Sequence, residues 1–271
     1  MNIEQPILEV LNLKKNFGDF TAVNSISFSV ERGEIFGVVG PNGAGKTTTI
    51  KILSTLLPPT AGEAHISGYN VVKDASRVRR VIGYVPQLLS ADGNLTGYEN
   101  LLIFAKLYDI PSKDRLNIIK DALHFMGLSD SANKLVKSYS GGMIRRLEIA
   151  QAVLHKPRIL FLDEPTVGLD PVAREAVWEY VKLLVRQDTT VLLTTHYMEE
   201  ADAICNRIAI MNRGNIAAIG SPLELKESIG DAAANLNKVF EFYAGSTLEL
   251  EEKGDSFRDV SRTRRVARRL G

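Results

Sequence analysis

The 271-residue sequence predicts an α/β fold, a mostly parallel sheet with helices on its faces. Three observations carry this expectation. Short apolar runs alternate with segments of helical spacing in both the first and the last third of the chain. A glycine-rich segment, GPNGAGKT at 40–47, sits between a strand-like run and a helix-like run. Between 88 and 145 the strand signals disappear, which predicts a helical subdomain inserted into the α/β layer.

Residues 22–30 (AVNSISFSV) place Val23, Ile26, Phe28 and Val30 at roughly alternate positions, the period of a strand. Residues 34–39 (EIFGVV) form a short apolar run and read as a buried strand. A helix is predicted over 47–57, stopped by Pro58 and Pro59, and a strand over 81–85. Helices are predicted over 100–108, 115–126 and 142–154. The α/β pattern resumes with strand 159–162 (ILFL), helix 171–187, strand 190–194, helix 198–205 and strand 207–211. NRGN at 212–215 signals a turn before 216–219. The last eleven residues, SRTRRVARRLG, hold five arginines.

Composition narrows the function classes. The net charge is +1, from 33 basic and 32 acidic residues, so no global field suggests a nucleic-acid partner. The arginine-rich tail reads equally as a contact to anionic lipid or nucleic acid and as a solvated helix end. The single cysteine, Cys205, forms no intrachain disulfide and suits a reducing compartment. No secretory signal is read in MNIEQPILEV, and no stretch approaches the roughly 18 apolar residues of a membrane span. Work at a membrane would therefore require docking onto another chain.

GPNGAGKT matches G-x-x-x-x-G-K-[ST] in the required context, after a strand and before a helix. Gly40, Gly43 and Gly45 let the backbone wrap phosphate oxygens with amide hydrogens pointing inward, and the helix N-terminus favours an anion. Lys46 reaches the β- and γ-phosphates, and the Thr47 hydroxyl can bind Mg²⁺. In ILFLDE, Asp163 stands at the tip of a buried strand, where a carboxylate can hold Mg²⁺. Glu164, one residue on, could take a proton from an attacking water. An acidic strand-to-helix turn before Pro165 accounts for the same letters, and the phosphate loop is what tips the balance. SYSGGM leads into a helix and offers a second amide-lined anion site, although Ser140 as a plain N-cap explains it as well. Gln87 and His196 each follow a strand at the same sheet edge, and only that position marks them out.

Together these pieces resemble the ATP-binding cassette (ABC) family of P-loop NTPases over residues 7 to 220. GPNGAGKT looks like its Walker A, Gln87 its Q-loop, YSGGM its signature, FLDE its Walker B, VGLD at 167–170 its D-loop and His196 its switch histidine. The run from Tyr139 to Pro171, with a tail like FRDVSRTRR, is most similar to daunorubicin-resistance-type exporter ATPases. The resemblance implies an ABC nucleotide-binding domain with a mixed sheet. Its ATPase core would be 1–87 and 146–222, its helical subdomain 88–145, with a C-terminal extension at 223–271. It implies ATP binding by Phe17, which would stack on adenine, by Gly40, Pro41, Asn42, Gly43, Ala44, Gly45, Lys46, Thr47 and Thr48, and by Gln87. It implies Mg²⁺ at Thr47, Gln87 and Asp163, and catalysis by Glu164, His196 and Lys46. Ser140, Gly141, Gly142 and Asp170 would act in trans, on ATP held by a second copy or a related ABC subunit.

The implied activity is ATP hydrolysis that drives transport, in the direction of export. A separate multi-span membrane subunit would carry the cargo, with this chain peripheral on the cytoplasmic face of the cell membrane. Two positions depart from the family: Met143 stands where glutamine is common, and Phe17 where tyrosine is usual. Phenylalanine keeps the π-face. Two alternatives stay open on sequence alone: an ABC ATPase not coupled to transport, such as a metal-cluster assembly ATPase, and a nucleotide sensor that does not hydrolyse.

Overall fold

The computed structural model describes residues 5–230 and 234–243. The arginine-rich stretch and the FRDVSRTRR tail lie outside the described residues. In chain order the elements are β1 (Leu8–Phe17), β2 (Phe20–Val30), β3 (Ile35–Val39), α1 (Lys46–Leu53), β4 (Ala61–Ile66), β5 (Tyr69–Asn70), α2 (Ala75–Val81) and β6 (Ile82–Val85). Then come α3 (Gly97–Leu107), α4 (Ser112–Phe125), α5 (Gly141–Val153), β7 (Ile159–Asp163), α6 (Pro171–Val185), β8 (Thr190–Thr195), α7 (Met198–Ile204), β9 (Arg207–Asn212), β10 (Asn215–Gly220) and α8 (Pro222–Glu227).

The strands form two sheets. One is antiparallel, in the order β2-β1-β4-β5, and the other runs β10-β9-β3-β8-β7-β6. In the second sheet β3, β6, β7, β8 and β9 are parallel, and only β10 runs antiparallel, against β9. The architecture is therefore α/β with a mixed sheet. Its central strands are apolar on both faces because both faces are covered. Ile35, Val39, Leu160, Leu162, Val191 and Leu193 point to a core shared with the helices. Phe36, Val38, Ile159, Phe161 and Leu192 point to a second core against the antiparallel sheet. Continuous runs such as ILFL are the signature of that two-sided burial.

Helices α3, α4 and α5 fall between β6 and β7, where strand signals vanish from the sequence. Residues 236–243 are helical and bury Leu236 and Val239 in the same core. Two expectations need correction. The helix predicted over 47–57 ends at Leu53, ahead of the prolines. Thr55 takes a left-handed φ of 63°, and the amides of Leu56 and Leu57 both turn back to the Lys51 carbonyl. The antiparallel sheet contributes β1, β4 and β5, none of which the residue pattern suggests. The ladder between β1 and β2 shifts register after Val10 and again after Leu13, and these irregularities erase the period of two.

Candidate active site

Strand register brings the site together. Val39 at the end of β3 pairs with Thr195, and Asp163 at the end of β7 pairs with Thr194. Val85 at the end of β6 pairs with Leu162. The C-terminal ends of four parallel strands are thus level. The loop after β3, the carboxylates after β7, Gln87 after β6 and His196 after β8 converge at one sheet edge.

The phosphate loop is locked on both sides. A Cβ on Gly40 would lie 2.0 Å from the Met211 carbonyl oxygen, and one on Gly45, which has φ +106°, 2.5 Å from that of Ala22. These two glycines are demanded by close backbone approach as well as by any ligand. Lys46 opens α1 and is only 4% exposed. Its ammonium donates to the carbonyl oxygens of Gly40 (2.8 Å) and Pro41 (3.1 Å) and lies 3.1 Å from Glu164 Oε1.

Glu164 is the hub. Its backbone has a left-handed φ of 48°, a strained conformation for a side-chain-bearing residue. Its N–H donates to the Thr194 hydroxyl at 3.0 Å and the Thr194 carbonyl at 3.2 Å. The carboxylate so placed accepts from Gln87 Nε2 at 3.2 Å and lies 3.1 Å from His196 Nδ1. Three polar side chains, from the start of α1 and from the segments after β6 and β8, therefore meet on one carboxylate.

Asp163 accepts from the hydroxyls of Thr47 (3.0 Å) and Thr194 (2.7 Å). Burial pushes its carboxyl above the usual range; the two hydroxyls oppose this, the neighbouring Glu164 charge reinforces it, and Lys46 opposes it. A raised folded-state value means that stability from this group is present below the unfolded carboxylate range and lost as pH rises through the folded value. Asp163→Asn keeps an acceptor for both hydroxyls and removes the buried charge. It should melt higher than wild type at neutral pH without nucleotide, lose that advantage in acid, and lose ATPase activity. Thermal melts at the two pH values check this, and a variant that melts lower at neutral pH would show that the charge is a net stabiliser.

A cavity of about 340 Å³ opens here, lined by Asn42, Gly43, Ala44, Gly45, Lys46, Thr47, Thr48, Gln87 and Glu164, together with Ala22 and Phe20. Phe17 is half exposed at the end of β1 and does not line it, while Phe20, opposite it in the hairpin, does. Sequence reasoning missed Phe20, and also Thr194, whose role depends on register alone. It missed Glu200 as well: this buried carboxylate accepts from Thr166 and Thr195 and pairs with Arg174 at 3.1 Å. Ser140, Gly141, Gly142 and Asp170 line none of the cavity. Ser140 caps α5 through Met143 N–H and Asp170 caps α6 through Ala173 N–H. A Cβ on Gly142 would lie 2.7 Å from that of Ala173, so the two helix starts pack directly together.

The profile of the ABC transporter family matches residues 23–167, more than half of the chain. The chain belongs to the ABC transporter family. It is 41% identical over 224 residues to the linearmycin resistance ATP-binding protein of Bacillus subtilis, covering 83% of this chain and 72% of that protein. It is 42% identical over 229 residues to the daunorubicin/doxorubicin resistance ATP-binding protein of Streptomyces peucetius, covering 84% and 69%. It is 42% identical over 220 residues to the Nod factor export ATP-binding protein I of Ralstonia nicotianae, covering 81% and 68%. Among solved structures, an ATP-binding subunit of an ABC transporter superposes with a TM-score of 0.79 at 28% identity, over 88% of this chain and 99% of that one. An ATP-binding cassette in its ADP conformation superposes with a TM-score of 0.76 at 26% identity, over 89% and 99%. This ABC chain is an ATPase: it binds ATP and hydrolyses it.

Proposed function

We propose that this ABC ATPase hydrolyses Mg·ATP at Glu164 and drives export through a separate membrane subunit. The convergence of Lys46, Gln87 and His196 on the Glu164 carboxylate carries the catalytic part. Glu164 orients the attacking water and takes its proton, while Lys46 and the loop amides hold the charge that spreads over the γ-phosphate. His196 contacts the γ-phosphate, and Phe17, beside the cavity-lining Phe20 and off the cavity wall itself, stacks on adenine beyond the rim. The adjoining oxygens of Thr47 and Asp163, 3.0 Å apart, are the hard ligands Mg²⁺ prefers, and Gln87 completes the set. When bound with the nucleotide, Mg²⁺ supplies charge neutralisation.

Ser140, Gly141, Gly142 and Asp170 lie off this chain's own cavity, which supports their acting on ATP in a second copy or a related subunit. In this reading the core is 1–87 and 146–222, and 88–145 is the helical subdomain. Residues 223–271 form the extension. The resistance and export proteins among the relatives favour transport over cluster assembly. Among the described residues no helix is long and apolar enough to cross a membrane. The chain would therefore sit on the cytoplasmic face, docked to a multi-span partner.

The segment after Gln87 is the proposed dock. Leu88 is 82% exposed, and Leu89, Ile103 and Leu107 are exposed as well. Leu101 is buried, while Tyr98, Leu102, Phe104 and Tyr108 pack half-buried on the core. Exposed apolar side chains beside a nucleotide-contacting residue suit an apolar helix of the membrane subunit. A multi-span protein should co-purify with the chain from membranes. Leu89→Asp should weaken that capture while the basal ATPase rate of the isolated chain is unchanged. Unaltered capture would place the docking surface elsewhere. Tyr98 is the poorer site for a charge, because it is packed.

A further inference from the structure

Helix α5 begins at its Ser140 cap and carries, at i and i+3, a charged pair sealed from solvent: Arg145 and Glu148, each 2% exposed. Neither belongs to the phosphate or catalytic groups. Arg145 Nη1 lies 2.9 Å from Glu148 Oε2. Burial works against the charged guanidinium, and the carboxylates of Glu148 and Asp163 offset it. Both members then reach across to the same short stretch of backbone. Arg145 Nη1 donates to the Pro86 carbonyl at 2.7 Å and Nη2 to the Gln87 carbonyl at 2.8 Å. Glu148 Oε1 accepts from the Ser90 and Ala91 amides and from the Ser90 hydroxyl.

A second tie lies further along the helix. Gln151 Nε2 donates to Asn100 Oδ1 at 3.3 Å, and the same oxygen takes the Asp92 amide at 3.0 Å. The backbone at 86, 87, 90 and 91 is thus held by one face of α5, and that at 92 by Asn100 of α3, which Gln151 contacts, while the Gln87 side chain reaches the other way, to Glu164. Gln87 is a seam: its main chain belongs to the helix and its side chain to the catalytic carboxylate.

We propose that Arg145, braced by Glu148, is a positioning residue that fixes Gln87 to the helix bearing Ser140, Gly141 and Gly142, so that the placement of that helix is read out at Glu164. The proposal rests on the ATPase reading above. Ser140 and Arg145 are five residues apart on one helix, about 7–8 Å along its axis, and a helical segment that short is stiff. The planar fork of arginine is what spans two successive carbonyls. Lysine keeps a charge beside Glu148 but offers a single point.

The test uses the full chain and a double-mutant cycle. ATP turnover and equilibrium ATP binding are measured for wild type, Arg145→Lys, Gln87→Ala and the double variant. Arg145→Lys should lower kcat at least about tenfold, because a misplaced catalytic contact costs up to ~10²-fold. ATP affinity should stay within about twofold, since the phosphate loop is untouched. In the Gln87→Ala background the same change should have no further effect on kcat. A kcat within about twofold of wild type, or losses that multiply with Gln87→Ala, would overturn the proposal. Glu148→Gln, close in shape and still an acceptor for Ser90 and Ala91, is judged by the same criterion if Arg145→Lys fails to fold. Wild-type hydrolysis with a silent Lys46→Ala control secures the ATPase reading independently, so a failed cycle then counts against Arg145 alone. An inactive wild type would overturn both.

Discussion

Replacing Lys46 by alanine is expected to abolish tight Mg·ATP binding and to lower turnover by about 10³-fold or more, the scale on which fixed charge stabilisation acts in a water-poor site. The ammonium is buried and held by two loop carbonyls and Glu164. On the proposed reading it is held ready for the β- and γ-phosphate charge, with little reorganisation at the moment of reaction. Without it, the backbone amides remain as the loop's own source of positive potential. The expected result is nucleotide affinity too weak to saturate at ordinary concentrations and phosphate release near the uncatalysed background. A thermal melt shows whether the fold survives. Near-normal turnover in a folded Lys46→Ala chain would sink the assignment of this loop as the ATP site.

Glu164→Gln separates binding from chemistry. The amide has nearly the shape of the carboxylate, and its oxygen can still accept from Lys46 where Oε1 does, while an NH2 group takes the place of the oxygen that faces Gln87 and His196. What it loses is the ability to take a proton from water, so hydrolysis should slow by ~10²–10⁴-fold while ATP binding persists. If two chains close head to tail on ATP, blocking hydrolysis traps the closed state. Gel filtration with saturating ATP should show a dimer, and without nucleotide mostly monomer. A variant that stays monomeric in ATP would rule out the sandwich for the isolated chain. A variant that turns over normally would remove Glu164 as the base.

The phosphate loop and the acidic strand tip were legible because local sequence announces them, whereas Gln87 and His196 were marked only by their places after strands. GPNGAGKT needs its glycines at set positions, and FLDE places its carboxylates directly after a buried apolar run. The resemblance put the motifs in register, and the structure brings Lys46, Gln87, Glu164 and His196 together. Of the antiparallel sheet only β2 was legible, because β1 is irregular, β4 (AGEAHI) has few large apolar residues and β5 has only two residues. Helix α2 escaped notice because seven residues with one buried side chain, Val78, leave no periodicity to read.

The sequence by itself determined the α/β class, the phosphate loop and the acidic strand tip, because those properties live in contiguous residues: strand burial writes an apolar run, and a phosphate loop writes its own spacing. Tertiary structure alone decided which residues hold the hub in place. Thr194 reaches the Asp163 carboxylate and the Glu164 backbone N–H only because β7 and β8 are neighbours in one register. Phe20 lines the cavity only because a hairpin folds it there. Arg145 touches Gln87 across 58 residues of chain. Contacts so distant in sequence follow from chain topology and leave no periodic or motif-like trace in the letters, so the residues proposed as catalytic could be named from the sequence, whereas their supports had to be seen.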